Sequence, residues 1–158
     1  MRRFIFTCLS AALCTAATLS AQPSAQPSPR TVSAVRLTFG RVDRVALDFG
    51  VDTSAIRRQA SQRLRDAGIT VASALDLPEL MIEVRVPKSL APSDDGLLLV
   101  RVELREAASS PTRRQIWNDQ TGGTRFTTYG SLRELVPARV ALALDQLATA
   151  HGADTGTR

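Results

Sequence analysis

Few residues in this chain have the type and spacing that chemistry needs. His151 is the only histidine, and it stands seven residues from the carboxyl end in a small polar stretch. A general base must be held within hydrogen-bond reach of its substrate, so a Ser-His-Asp arrangement has no usable histidine here. Asp94-Asp95-Gly96 begins like a calcium loop. Calcium takes six to eight oxygens at regular spacing, and nothing continues the pattern, so a turn explains it better. Gly122-Gly123 lacks the following Lys-Ser or Lys-Thr of a phosphate cradle and reads as a hairpin or bulge. Glu83 and Glu103 supply two carboxylates, but both fall on the charged face of alternating strands, where arginine neighbours account for them. No cofactor and no metal set is implied.

Four side chains remain as binding candidates. Arg57, Arg58, Arg63 and Arg65 load the outer surface of one helix. Guanidinium forks suit carboxylates and phosphates, although a solvated helix face reads the same way. We take Arg57, Arg58 and Arg65, with Trp117, as the candidate partner-binding residues. Trp117 is the sole tryptophan; indoles anchor interfaces, and they also pack in cores.

The location of the chain bears on all of this. Met1-Arg2-Arg3 precedes an apolar run from Phe4 to Leu19, and Leu19-Ser20-Ala21 offers a cleavage point before Gln22. That is the pattern of a secretory signal, 1–21. The run is short for a spanning helix and is interrupted by Thr7, Ser10, Thr15 and Thr18, so no retained transmembrane helix is expected. Cys8 and Cys14, the only cysteines, would leave with the signal. The remaining 137 residues would then hold neither a disulfide nor a thiolate. Losing Arg2 and Arg3 leaves 18 bases against 15 acids, a formal +3 instead of +5. All bases but Lys88 are arginine, and the aromatics left are Phe39, Phe49, Trp117, Phe126 and Tyr129. A basic stripe with interleaved aromatics is missing, and nucleic-acid binding is not expected.

The elements that position these residues follow from hydrophobic period. Gln22 to Arg30, QPSAQPSPR, is a Pro/Ser/Gln-rich spacer over 22–31. Val35-Leu37-Phe39 and Val45-Leu47-Phe49 alternate with polar or small residues, which predicts one long strand or two. Asp52-Thr53-Ser54 caps a helix whose inner face is Ile56, Ala60, Leu64 and Ala67, ended by Gly68. Ile69 to Val71 is a short apolar exit. Leu80 to Val86 and Leu98 to Leu104 alternate strongly and predict an antiparallel pair, with Glu83 and Arg85 complementing Arg101 and Glu103 on the outer face. Gln115 to Thr121 and Arg125 to Thr128 are weaker strands. Ser131 and Glu134 suggest a capping box for a final helix to about Ala150, with Pro137 either kinking it or opening it. His151 to Arg158 reads as a flexible tail.

The order is β-α-β-β-β-α over a single domain, 32–150. Each helix and each strand has one apolar face. The expected class is therefore α+β: a two-layer sandwich, two helices on one face of a mixed, roughly four-stranded sheet.

The stretch Ile56-Arg57-Arg58-Gln59-Ala60-Ser61-Gln62-Arg63-Leu64-Arg65-Asp66-Ala67-Gly68-Ile69-Thr70-Val71, followed by Pro78-Glu79-Leu80-Met81-Ile82-Glu83-Val84, resembles small Gram-negative envelope domains. These are the lipopolysaccharide-assembly lipoprotein and the amino-terminal domain of the Tol-system propeller protein, in which a helix ends in Gly-Ile-x-Val before an alternating strand. The chain departs from the first family in lacking a lipobox cysteine. The resemblance implies non-catalytic work in the envelope and carries over no binding residue.

The leading expectation is an exported docking or assembly module, periplasmic or secreted after cleavage near Ala21. Its partner would be another envelope protein or an anionic envelope component. A small-ligand or lipid-headgroup carrier is the alternative, and a hydrolase built on Ser, Asp and Glu alone is a third.

Overall fold

The computed structural model describes residues 32–87, 96–119 and 122–152. The leader, the spacer, the Asp94-Asp95 pair and the tail from 153 onward lie outside the described residues.

Alternation of burial sets the central strands. β3 (Glu79–Arg85) buries every second side chain, β1 (Ala34–Val42) does so at Val35 and Leu37, and β4 (Gly96–Arg105) does so along its length with Glu103 buried as well. Val35 and Leu37, Leu80, Ile82 and Val84, and Leu98, Val100, Val102 and Leu104 line one face. β3 and β4 pair antiparallel in unbroken register from Glu79↔Arg105 to Arg85↔Leu99. β1 runs parallel to β3 on its other side.

α2 (Thr53–Asp66) starts where the Asp52 carboxylate accepts from the Ser54 and Ala55 amides. Its inner face is Ile56, Ala60 and Leu64. It ends at Gly68, whose φ of +79° is open to glycine at little cost. The chain then gives the two-residue β2 (Thr70–Val71), parallel to the start of β1. β5 (Gln115–Asn118) and β6 (Thr124–Phe126) both pair antiparallel with β4, at its opposite ends. The path through the sheet is β2-β1-β3-β4-β5, with β6 beside β4. α3 (Leu132–Gly152) packs on α2 and on β4, and its buried stripe joins the same core. The molecule is an α+β two-layer sandwich, with helices on one face of a mixed six-stranded sheet. The sheet is wider than four strands because the apolar exit after Gly68 and the Thr124–Phe126 segment both pair.

Some expectations are corrected. Val45, Leu47 and Phe49 do not form a strand. After β1 the chain enters a short helix, α1 (Arg44–Asp48), which buries Ala46 and leaves Leu47 46% and Phe49 45% exposed. The cause is tertiary. The Asp43 amide donates to the Val84 carbonyl, and its carboxylate accepts from the Val86 amide. This clamps the end of β1 to the end of β3 and turns the chain. Phe49 instead stacks on Tyr129 with centroids 5.1 Å apart, and Tyr129 meets Phe126 edge-on at 5.1 Å. Ser131 forms no capping box: its hydroxyl donates to the Thr128 carbonyl, closing a 3-10 turn, Tyr129–Ser131, ahead of α3. Pro137 lies within α3 rather than at its first position. His151 is the penultimate residue of that helix, half-buried, and not part of a tail.

Gly96 shows how tightly β6 sits on the sheet. A Cβ at this position would lie 2.1 Å from the Phe126 ring. Only glycine lets the ring close over the strand.

Candidate functional site

The helix-free face of the sheet carries charged side chains, and several of them pair with one another. Glu103 is 0% exposed. Arg101 and Arg105, two residues to either side on the same strand, reach over it and pair with its two oxygens; Arg105 Nε donates at 2.8 Å. The expectation that arginine neighbours account for Glu103 holds, and they close over it completely. Glu83 stands opposite Arg101 in register, but Arg101 turns to Glu103 instead. Across β1 and β3, Glu79 accepts from Thr38 at 3.0 Å and pairs with Arg36 at 3.1 Å. At the far end, Glu106 staples the loop between β4 and β5. It accepts from the hydroxyls of Thr112 and Ser110 and from the Arg114 amide, and these bonds hold its carboxyl down at about 2. The Val86 amide and then Arg41 likewise lower Asp43, against burial that raises it.

The opposite edge of the sheet differs. β2 covers β1 only at Ala34 and Val35. Thr70 and Ala72 donate to the Ser33 and Val35 carbonyls at 2.9 and 3.0 Å. The next carbonyl on that side is Leu37, which accepts from Arg57 Nη1 of α2 at 2.8 Å instead of from a strand. The same guanidinium lies 5.1 Å from the centroid of the Phe39 ring, within cation–π range. A groove of about 520 Å³ opens at this point, lined by Arg36, Leu37, Thr38, Arg57, Ser61 and Ser73 among others. Arg36 Nε is buried and has no hydrogen-bond partner.

The structure separates the arginines that the sequence groups together. Arg63 pairs with Asp145 of α3 at 2.6 Å, and Arg65 donates to the Gln62 side chain at 2.8 Å. Arg57 and Arg58 have no carboxylate partner among the described residues. Trp117 is opposite Leu104 in register, half-buried and packed against the core from the outer strand β5. It is on the far edge of the sheet from Arg57, so the two do not form one site. Sequence reasoning missed Arg36, Thr38, Ser61 and Ser73 as groove residues. The available signal was the brevity of the apolar exit at Ile69 to Val71, too short to cover a nine-residue strand.

A second cavity, about 330 Å³, lies at the end of the sheet between Val32, Pro78, Ala107 and Ile116. Among the described residues no cluster of three or more His, Cys, Asp or Glu could hold a metal ion, and no helix is long and apolar enough to cross a membrane.

Solved structures of other proteins share part of this trace. A minor lipoprotein from Acinetobacter baumannii matches with a TM-score of 0.43 at 12% identity, over 72% of this chain and 90% of its own. A PelC dodecamer from Paraburkholderia phytofirmans matches with a TM-score of 0.43 at 14% identity, over 79% of this chain and 90% of its own. No family model matches the sequence, nor does any curated protein. Neither structure carries the name of the two families that the Gly-Ile-x-Val pattern resembles.

Proposed function

We propose that this protein is a non-catalytic, exported envelope module that docks a partner, and that the β1–α2 groove is its docking surface. One observation carries the reading: Arg57 is held in place by a carbonyl and an aromatic ring, and among the described residues no carboxylate neutralises it and no strand covers the β1 edge beside it. A guanidinium fixed in this way loses little entropy on binding an anionic group. Arg58, on the next exposed position of the helix, adds charge without a carboxylate partner among the described residues. The basic leader and apolar run support an exported location.

The test is in-cell crosslinking of the tagged protein, wild type against Arg57→Glu with Arg58→Glu, followed by mass spectrometry of what co-purifies. The reading expects one recurrent envelope component that the double reversal removes. The same component at undiminished yield from the reversed protein would overturn it.

The end cavity gives a specific reason to keep a second reading, a small-ligand carrier. Its volume of about 330 Å³ and partly apolar wall (Val32, Leu77, Pro78, Ile116) suit a small amphiphile. Native mass spectrometry of gently purified protein should then find a bound small molecule; a bare protein mass under several purification conditions speaks against it.

A further inference from the structure

We infer that the β1 edge takes an extended, acidic peptide segment of another chain as an added strand, and that Arg57 is the latch that both guards and reads it. This deepens the docking reading above and rests on it.

The geometry of the edge is that of an interrupted sheet. The carbonyls of Ser33 and Val35 are used by β2, and the Leu37 carbonyl continues the same row. A strand laid along the groove would carry this ladder on past Val35. The groove wraps both sides of the edge: Arg57 and Ser61 of α2 on one, Arg36 and Thr38 of β1 on the other. An extended peptide sends alternate side chains to opposite faces, so it would meet both walls at once.

An uncovered edge invites unwanted pairing, and charged side chains commonly guard it. Arg57 does so by occupying the Leu37 carbonyl at 2.8 Å. An incoming backbone N–H would compete with the guanidinium for that acceptor. The exchange is favourable when the incoming strand also brings a carboxylate to the helix side. The guanidinium then trades a neutral carbonyl for a charge-assisted, two-pronged partner while still stacked over Phe39. The buried Arg36 Nε offers a second unpartnered donor on the other wall. A second copy of this chain is a poor occupant, because it would set Arg57 and Arg58 against their own like charges.

The test is a nuclear magnetic resonance titration of the isotope-labelled full chain with the peptide acetyl-Thr-Val-Glu-Val-Thr-amide. Controls are its Glu→Gln twin, a twin with N-methylated backbone amides, and sodium acetate. The inference expects the acidic peptide to shift the Leu37 and Phe39 amides and the Arg57 Nε signal. N-methylation should weaken it at least about ten-fold, the equivalent of one lost backbone hydrogen bond. Arg57→Lys should bring the acidic peptide and its Gln twin closer together, since charge stays and the fork is lost. If acetate or the N-methylated twin shifts the same signals equally well, strand addition fails, and the docking reading survives as recognition of an anion alone. If those amides shift with protein concentration and no peptide, self-pairing replaces the proposal. If no arm moves the groove signals, both readings fall.

Discussion

The outer face of the sheet and the β1 edge both carry arginines, and the structure treats them in opposite ways. On the outer face each cation in contact with a carboxylate is spent on the fold: Arg101 and Arg105 on Glu103, Arg36 on Glu79. At the edge, Arg57 binds a backbone carbonyl and an aromatic face, and Arg58 binds nothing described. A guanidinium gains most from a carboxylate. Where the fold supplies one, the arginine is structural. Where the fold supplies only weaker partners, the arginine keeps its strongest interaction for something outside the molecule. Net charge alone would not distinguish the two regions.

Breaking the structural side should cost most. Glu103→Ala leaves Arg101 and Arg105 without their shared carboxylate over a packed strand. Removing one member of a buried ion pair costs about 3–5 kcal/mol. Arg101 is 55% exposed and Arg105 37%, so both can recover water; we expect about 2–3 kcal/mol by urea unfolding, below that range. Gly96→Ala is next. The new Cβ forces the Phe126 ring off β4, and overpacking of this kind costs about 1–3 kcal/mol. Calorimetry should show a lowered Tm, and fluorescence or near-ultraviolet dichroism a changed environment of the Phe126–Tyr129–Phe49 group.

Acid sharpens the same contrast. Glu106 is held at about 2 in the fold against an ordinary 4.5, and Asp43 is also lowered. A carboxyl whose pKa falls on folding stabilises fully above its unfolded value and loses that contribution as pH drops through the folded one. Stability should therefore hold at neutral pH and drain between pH 4.5 and about 2. Glu106→Gln should flatten part of that slope in denaturation series across pH. The smallest effects on stability belong to the edge: Arg57→Ala, which gives up one hydrogen bond and a ring contact, should cost about 1 kcal/mol, and Arg58→Ala should stay within about 0.5 kcal/mol of wild type, while partner recovery falls in both. A large loss of stability at Arg57 would make it structural after all and erase the contrast.

Much of the fold was legible. The alternation in Leu80 to Val86 and Leu98 to Leu104, the Asp52 cap and Gly68 each act through local physics, and each holds. What was illegible depends on contacts between distant segments. Val45-Leu47-Phe49 has a strand's period, but the Asp43 clamp to Val84 and Val86 turns the chain into a helix first. Glu103 looks like any outward charge until its strand neighbours close over it. The candidate site was legible in part: Arg57 and Arg58 could be named from helix phase, but not told apart from Arg63 and Arg65. That distinction needs Asp145 and Leu37, which lie 82 and 20 residues away.

The most direct measurement is photocrosslinking in cells from two single positions on opposite edges of the sheet: Ser73 in the groove and Gln115 on β5. Both are exposed. Docking at the β1 edge predicts a discrete adduct from Ser73 that disappears with Arg57→Glu and Arg58→Glu, and none from Gln115. An adduct from Gln115 alone, or one from Ser73 indifferent to both reversals, would contradict it.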